Sequence, residues 1–337
     1  MTTRNPPAIS VGVIGAGSWG TTVAALTSAN TTTRLWARRS ELADEINEHH
    51  TNSRYLSDFA LPEQLTATSS MEEIVRSSDV IVMAVPSHGY RDVARDVAEH
   101  LRPWVPIVTL SKGLERDTQQ RMSEVTAEEM PGHPVAVMTG PNLAKEIIRE
   151  QPAASVVAID DERIAGVLQR LFARPTLRVY TNPDVIGCEV AGAVKNVIAI
   201  AAGMGIGMGF GDNTRATLIT RGLAEMTRLG LALGGELGTF SGLAGMGDLI
   251  ATCASVQSRN NTVGRRLGEG ETIDEIVDSM NMVAEGVKSC PSVLDLARVA
   301  GVEMPITEQV VAVCHEGRSA KDALTALMER DAGSELR

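Results

Sequence analysis

A short apolar, β-branched run, "AISVGVI", leads directly into "GAGSWG", and a helical pattern, "TTVAALTSA", follows at once. The insertion places Gly15, Gly17 and Gly20 in the G-x-G-x-x-G spacing between a strand and a helix. Each glycine has its own task there. The first allows the tight turn, the second lets backbone approach a pyrophosphate, and the third lets the helix pack closely on the strand. The helix start adds unpaired N–H groups and the positive end of its dipole, which suit phosphate. In this setting the spacing predicts the opening of a doubly wound α/β domain that binds a dinucleotide.

The chain downstream agrees. "TRLWARR", "DVIVMAVPSH", "WVPIVTLSKG" and "PVAVMTGP" read as further strands, with amphipathic stretches such as 91–101 between several of them. Near-continuous apolar strands alternating with helices predict a parallel sheet covered on both faces. From about residue 185 helical periodicity takes over, so the expected division is an α/β domain over 1–187, opening with a disordered tail over 1–7, and an all-α domain over 188–337. The glycine-rich segment "GMGIGMGFGDN", 203–213, reads as a mobile loop between helices.

Charge and cysteine content exclude several function classes. A net charge of −11 provides no excess basic surface for nucleic acid or for an anionic membrane. Cys188, Cys253, Cys290 and Cys314 lack C-x-x-C spacing, so they are read as reduced thiols of a cytoplasmic protein. Neither a signal peptide nor a run of about 18 apolar residues is visible, so no membrane insertion is expected. The histidines show no metal-ligand spacing, and no metal is expected.

Several polar residues stand where a plain core would have none. Arg38 and Arg39 follow the second strand, at the place where an NAD-preferring site carries an acid about 20 residues beyond the glycines. Guanidinium groups there suit the 2′-phosphate of NADP(H), although two arginines at a strand end are also a common solvated feature. Lys112 follows an apolar strand at the carboxyl edge of the sheet, where open α/β sheets bind ligands. In "EVAGAVKNVIAIAAG", Lys195 has only Ala191, Gly192, Ile198 and Ala199 one helical turn away, so its partner must come from elsewhere in the chain. The residues alone leave two readings for it, a proton donor in a dry site or a lysine reaching the surface. Asp248 lies within "GLAGMGDLIATC", and Ser258, Arg259 and Asn260 open a helix in "QSRNNTVG". The latter reads either as a phosphate site or as an ordinary cap beside a solvated arginine.

These segments, with "VPSH", "SKGLE", "GP-x-x-A-K-E", "TRGLAEMTRLG" and "VAEG", occur in the order and spacing of one known family. The chain resembles the bacterial NAD(P)-dependent glycerol-3-phosphate dehydrogenases over nearly its whole length. The resemblance implies a Rossmann domain followed by an α-helical one, and reduction of dihydroxyacetone phosphate to sn-glycerol 3-phosphate for phospholipid synthesis. It makes Lys195 the proton donor and acceptor, with Asp248 beside it and Lys112 shared between substrate and cofactor. Gly140, Asn142, Ser258, Arg259 and Asn260 match substrate-binding positions. Ser18, Trp19, Arg38, Arg39, Ala144, Arg259, Val283 and Glu285 match cofactor contacts, together with the three glycines. One departure stands out, because Asn142 and Leu143 replace the Ser or Thr and the aromatic or histidine usual in that family.

The expected chemistry is hydride transfer from NADPH, or from NADH as second choice, to a small phosphorylated triose. The apolar helices of the second domain suit a homodimer interface and equally the complete core of a monomer. Two other readings remain open on the residues: a β-hydroxyacid or ketopantoate type dehydrogenase, and a non-enzymatic NADP(H) sensor.

Overall fold

The computed structural model describes residues 9–280 and 284–329. The tail expected over 1–7 and the predicted cofactor contact Val283 lie outside the described residues. The chain forms two compact units, one of residues 1–115 and 120–189, the other of 116–119 and 190–337.

The first unit is built on eight strands: β1 (Val11–Ile14), β2 (Thr33–Trp36), β3 (Thr66–Thr68), β4 (Val80–Met83), β5 (Ile107–Thr109), β6 (Val135–Thr139), β7 (Ala153–Ala158) and β8 (Leu177–Asn182). They are ordered β3-β2-β1-β4-β5-β6-β7-β8. Helices α1 (Ser18–Ser28), α2 (Ser40–His49), α3 (Met71–Arg76), α4 (Tyr90–Ala98), α5 (Met122–Glu129), α6 (Ala144–Ile148) and α7 (Glu162–Phe172) connect them. Every residue of β1 and of β4 is buried, because these central strands are covered on both faces. Alternate side chains go to opposite sides. Val11, Val13, Val80 and Val82 belong to the core that includes Val23, Ala24 and Leu168, whereas Ile14, Ile81 and Met83 join Tyr90, Val93 and Val97.

Two sequence expectations need correction here. Strands β3, β7 and β8 were not among those expected, and the sheet is not wholly parallel, since β6 and β7 pair antiparallel. The link between those two contains only a five-residue helix, α6. Gly140, at φ +116°, turns the chain as it leaves β6, and β7 returns beside that strand with Val156 opposite Thr139.

The second unit is helical: α8 (Val185–Gly207), whose first residues lie in the first unit, then α9 (Asp212–Ala232), α10 (Leu237–Ser241), a π-helical turn over Leu243–Gly247, α11 (Asp248–Ala254), α12 (Arg259–Gly268), α13 (Ile273–Ser279), α14 (Glu285–Val299), α15 (Pro305–His315) and α16 (Ala320–Met328). Helix α8 is long and apolar enough to cross a membrane, but 89% of its most apolar window is buried in the protein. Its polar residues Glu189, Lys195 and Asn196 are buried too.

The glycine-rich segment 203–213 is also corrected. Residues up to Gly207 continue α8, and α9 begins at Asp212. The reason is a helix crossing. A Cβ added to Gly203 would lie 2.3 Å from the Asn261 carbonyl oxygen, and one on Gly207 would lie 2.0 Å from that of Arg265. From the other side, a Cβ on Gly264 would lie 2.0 Å from the Ile200 carbonyl oxygen and one on Gly268 would lie 2.3 Å from that of Met204. Four glycines thus let the backbones of α8 and α12 touch, and close packing outweighs the weak helix propensity of glycine.

Candidate active site

In the first unit the β1–α1 turn uses its three glycines differently. Gly15 has φ +117°, and a Cβ there would lie 2.6 Å from the Ala84 carbonyl oxygen. A Cβ on Gly20 would lie 2.0 Å from the Gly15 carbonyl oxygen, so this glycine closes the turn onto the helix. Nothing lies within 4 Å of the corresponding point at Gly17, which caps α1 without any side-chain bond. That space, beside a helix N-terminus, fits a pyrophosphate. The Trp19 indole Nε1 is buried without a partner among the described residues.

A loop after α2 is tied to this turn. Asn52, fully buried, donates through Nδ2 to the Ala16 carbonyl at 3.0 Å and to Thr21 Oγ1 at 2.9 Å. Ser18 Oγ donates to the Tyr55 carbonyl at 3.1 Å. Arg38 and Arg39 are exposed just beyond β2, and neither pairs with a carboxylate among the described residues. Arg39 Nη2 lies 3.5 Å from the Tyr55 hydroxyl, and the Arg54 guanidinium lies over the Tyr55 ring at 5.6 Å. A cationic rim therefore faces solvent where a ribose 2′-phosphate would be read.

A second cluster lies beyond the carboxyl ends of β5 and β6. Lys112 Nζ donates to the Gly140 carbonyl at 2.8 Å. Gly140 has φ +116°, which turns the chain out of β6 toward Asn142 and toward Ala144, the first residue of α6. Ser155 Oγ donates to Asn142 Oδ1, while Asn142 Nδ2 is buried without a partner among the described residues.

The second unit supplies the partner that Lys195 needs. Its Nζ donates to Asp248 Oδ1 and to Thr252 Oγ1, each at 2.8 Å, and its side chain is only 8% exposed. Thr252 in turn donates to the Asp248 carbonyl one turn back, at 2.7 Å. Burying two charges is costly unless they are paired and hydrogen-bonded, as they are here. Burial pushes the neighbouring Cys253 thiol up to about 12, opposed by the charge of Lys195, so it stays neutral and unreactive.

The residue after Lys195 extends this cluster. Asn260 Nδ2 donates to Asn196 Oδ1 at 2.9 Å, and Asn260 Oδ1 accepts from the Gly286 N–H at 2.9 Å. Ser258 caps α12 by accepting from the Asn261 N–H at 3.2 Å. Arg259 is exposed at the first position of that helix. Its pKa is lowered by partial desolvation, which the charge of Glu285 at the head of α14 opposes.

Sequence reasoning therefore named Lys195, Asp248, Asn260, Asn142 and the β1–α1 turn but missed the side chains that hold them. Thr252 had a usable signal, since it stands four residues after Asp248 on one helical face. Asn196, Asn52 and Ser155 had none, because their partners are distant in the chain.

Comparison with known proteins is consistent along the whole molecule. Residues 10–165 match the family described as NAD-dependent glycerol-3-phosphate dehydrogenase N-terminus, and residues 184–325 match the corresponding C-terminus family. A Sphingopyxis alaskensis protein named glycerol-3-phosphate dehydrogenase (NAD(P)+) 2 is 54% identical over 97% of this chain and 98% of its own length. A Mycobacterium avium protein named glycerol-3-phosphate dehydrogenase (NAD(P)+) is 50% identical over 96% of this chain and 95% of its own. The crystal structure of glycerol-3-phosphate dehydrogenase from Coxiella burnetii superposes with a TM-score of 0.92 at 36% identity, covering 96% of this chain and 100% of that one.

Proposed function

Because the chain belongs to the NAD-dependent glycerol-3-phosphate dehydrogenase family, we propose that it reduces dihydroxyacetone phosphate reversibly to sn-glycerol 3-phosphate, with NADPH preferred over NADH. The α/β part, taken as 1–187, holds the dinucleotide, and the helical part, 188–337, supplies the proton and the phosphate contacts. The product feeds glycerophospholipid synthesis in the cytoplasm, and the active form is a homodimer.

The observation that carries the chemistry is the buried ammonium group of Lys195, held by Asp248 and Thr252. A dinucleotide held by its pyrophosphate at the β1–α1 turn would supply the hydride for the carbonyl carbon. Negative charge then develops on the carbonyl oxygen and calls for a proton donor within about 3 Å. Lys195 has three N–H donors and commits two of them to its neighbours, leaving the third for that oxygen. Asp248 keeps the ammonium oriented and compensates its charge in a dry setting. A sensor that only binds dinucleotide would have no use for this arrangement.

Substrate choice rests on the phosphate group. Arg259 offers charge-assisted bonds at the N-terminus of α12, and Asn260, fixed by Asn196, adds a second polar contact. Arg38 and Arg39 supply the preference for a 2′-phosphate on the cofactor. Lys112, Gly140 and Asn142 contribute at the sheet edge, and Ala144, Val283 and Glu285 at the cofactor.

The deciding assay follows oxidation of NADPH and of NADH with dihydroxyacetone phosphate and with unphosphorylated dihydroxyacetone. Turnover is expected with the phosphate ester, faster with NADPH. Lys195→Ala should lower kcat by about 10³-fold, whereas Arg259→Ala should act on KM by roughly 10- to 100-fold. Near-normal turnover by Lys195→Ala would rule out the proton-donor role.

A further inference from the structure

We propose that Ser155 is a positioning residue, which grips the Asn142 carboxamide by its oxygen and so presents the amide NH2 to an oxygen acceptor on the bound cofactor or substrate. This rests on the placement of Asn142 in the ligand site. Ser155 itself touches no ligand in this scheme.

The geometry points to this role from three sides. Ser155 is fully buried in β7, followed by Val156, Val157 and Ala158, and a hydroxyl in such a place is costly unless bonded. Its partner is Asn142 Oδ1. The backbone makes that contact possible, because a Cβ on Gly140 would lie 3.4 Å from Ser155 Cα, so the left-handed turn at Gly140 lies against Ser155 and brings Asn142 back over it. With its oxygen taken, Asn142 is left with Nδ2, buried and unpartnered among the described residues. A buried donor without a partner is unfavourable until an acceptor arrives. The turn also carries the Gly140 carbonyl that receives Lys112, so the free donor belongs to the ligand-binding edge of the sheet.

The departure from the family pattern explains why a positioning residue is needed. A serine or threonine hydroxyl rotates freely and can donate in whichever direction a ligand requires. A carboxamide cannot, since turning it over exchanges donor for acceptor. Here Ser155 donates to the oxygen end of the amide, and the NH2 is the end left free.

The test is a double-mutant cycle of Ser155→Ala with Asn142→Ser, read as the Kd for NADPH alone and as the KM for dihydroxyacetone phosphate. Ser155→Ala is expected to weaken one of these by about three- to ten-fold with kcat little changed. A shift in Kd places the acceptor on the cofactor, and a shift in KM alone places it on the substrate. In the Asn142→Ser background the same substitution should do nothing. An equal loss in both backgrounds, or no loss in either measurement, would overturn the proposal. If Ser155→Ala does not fold, Ser155→Cys asks the same question, because it keeps nearly the same size and replaces the hydroxyl donor with a much weaker thiol one. A loss of about three-fold is expected there, absent in the Asn142→Ser background, and unchanged affinity would refute the idea. The Kd arm needs no turnover, so failure of wild type to reduce dihydroxyacetone phosphate would count against the functional reading alone.

Discussion

Glycines do opposite work in the two units. At Gly17 of the β1–α1 turn, the missing side chain leaves open space beside a helix end. At the crossing of α8 and α12, the missing side chains of Gly203, Gly207, Gly264 and Gly268 let two backbones meet with no space left. The first use belongs to binding and the second to folding. Composition does not distinguish them, and only the neighbouring elements do.

Substitutions can pull the two uses apart. The largest effect should come from Gly264→Val, whose Cβ alone would meet the Ile200 carbonyl oxygen at 2.0 Å. Backbone cannot yield as a flexible side chain does, so a loss of about 3 kcal/mol or more is expected, read as a collapse of Tm or of soluble yield. Gly17→Ala should do the reverse. With φ −72° and open space around it, alanine is tolerated, so Tm should hold while the Kd for NADPH rises by about 10- to 100-fold through crowding of the pyrophosphate. A Gly17→Ala protein that melts early, or binds normally, would erase the contrast.

A smaller effect separates the apolar crossing from another helix contact in the same unit. Glu225 on α9 accepts from the Ile306 N–H at 2.6 Å at the start of α15, and burial pushes its carboxyl up to about 7. A pKa raised in the folded state means the native protein holds the proton more tightly than the unfolded chain. The stability so gained is complete below the unfolded value and fades as pH rises through 7. Between pH 6 and pH 8 the loss should be about 1 kcal/mol, visible as a falling Tm that Glu225→Gln flattens. The glycine crossing, which has no titrating group, should add nothing to that slope.

Legibility followed the range of the interactions. The strand–turn–helix at Gly15, Gly17 and Gly20 was readable because the three glycines share one local spacing between a strand and a helix, although the Ala84 carbonyl that crowds Gly15 is distant in the chain. Strands β1, β2, β4, β5 and β6 were readable as apolar runs. The three-residue β3 is too short to carry a period, and the antiparallel pairing of β6 with β7 is a matter of strand direction, which apolar patterning does not report. Lys195 declared itself by lacking a local partner. Which residue would hold it is settled 53 positions away, at Asp248, and Asn196 meets Asn260 across 64. The glycines of 203–207 misled for the same reason, since the surface they fit lies on α12.

Helix α8 carries both Lys195 and the first glycine of the crossing, eight residues further on, which at 1.5 Å per residue is about 12 Å along one rod. In mechanical terms the crossing is the clamp and the lysine sits on the arm. A rod held at contact distance has little freedom to slide or roll, so the tolerance on the ammonium position is inherited from the clamp. A substitution at Gly203 too mild to unfold the protein should therefore act as a misalignment, slowing proton transfer although no atom near Lys195 has changed.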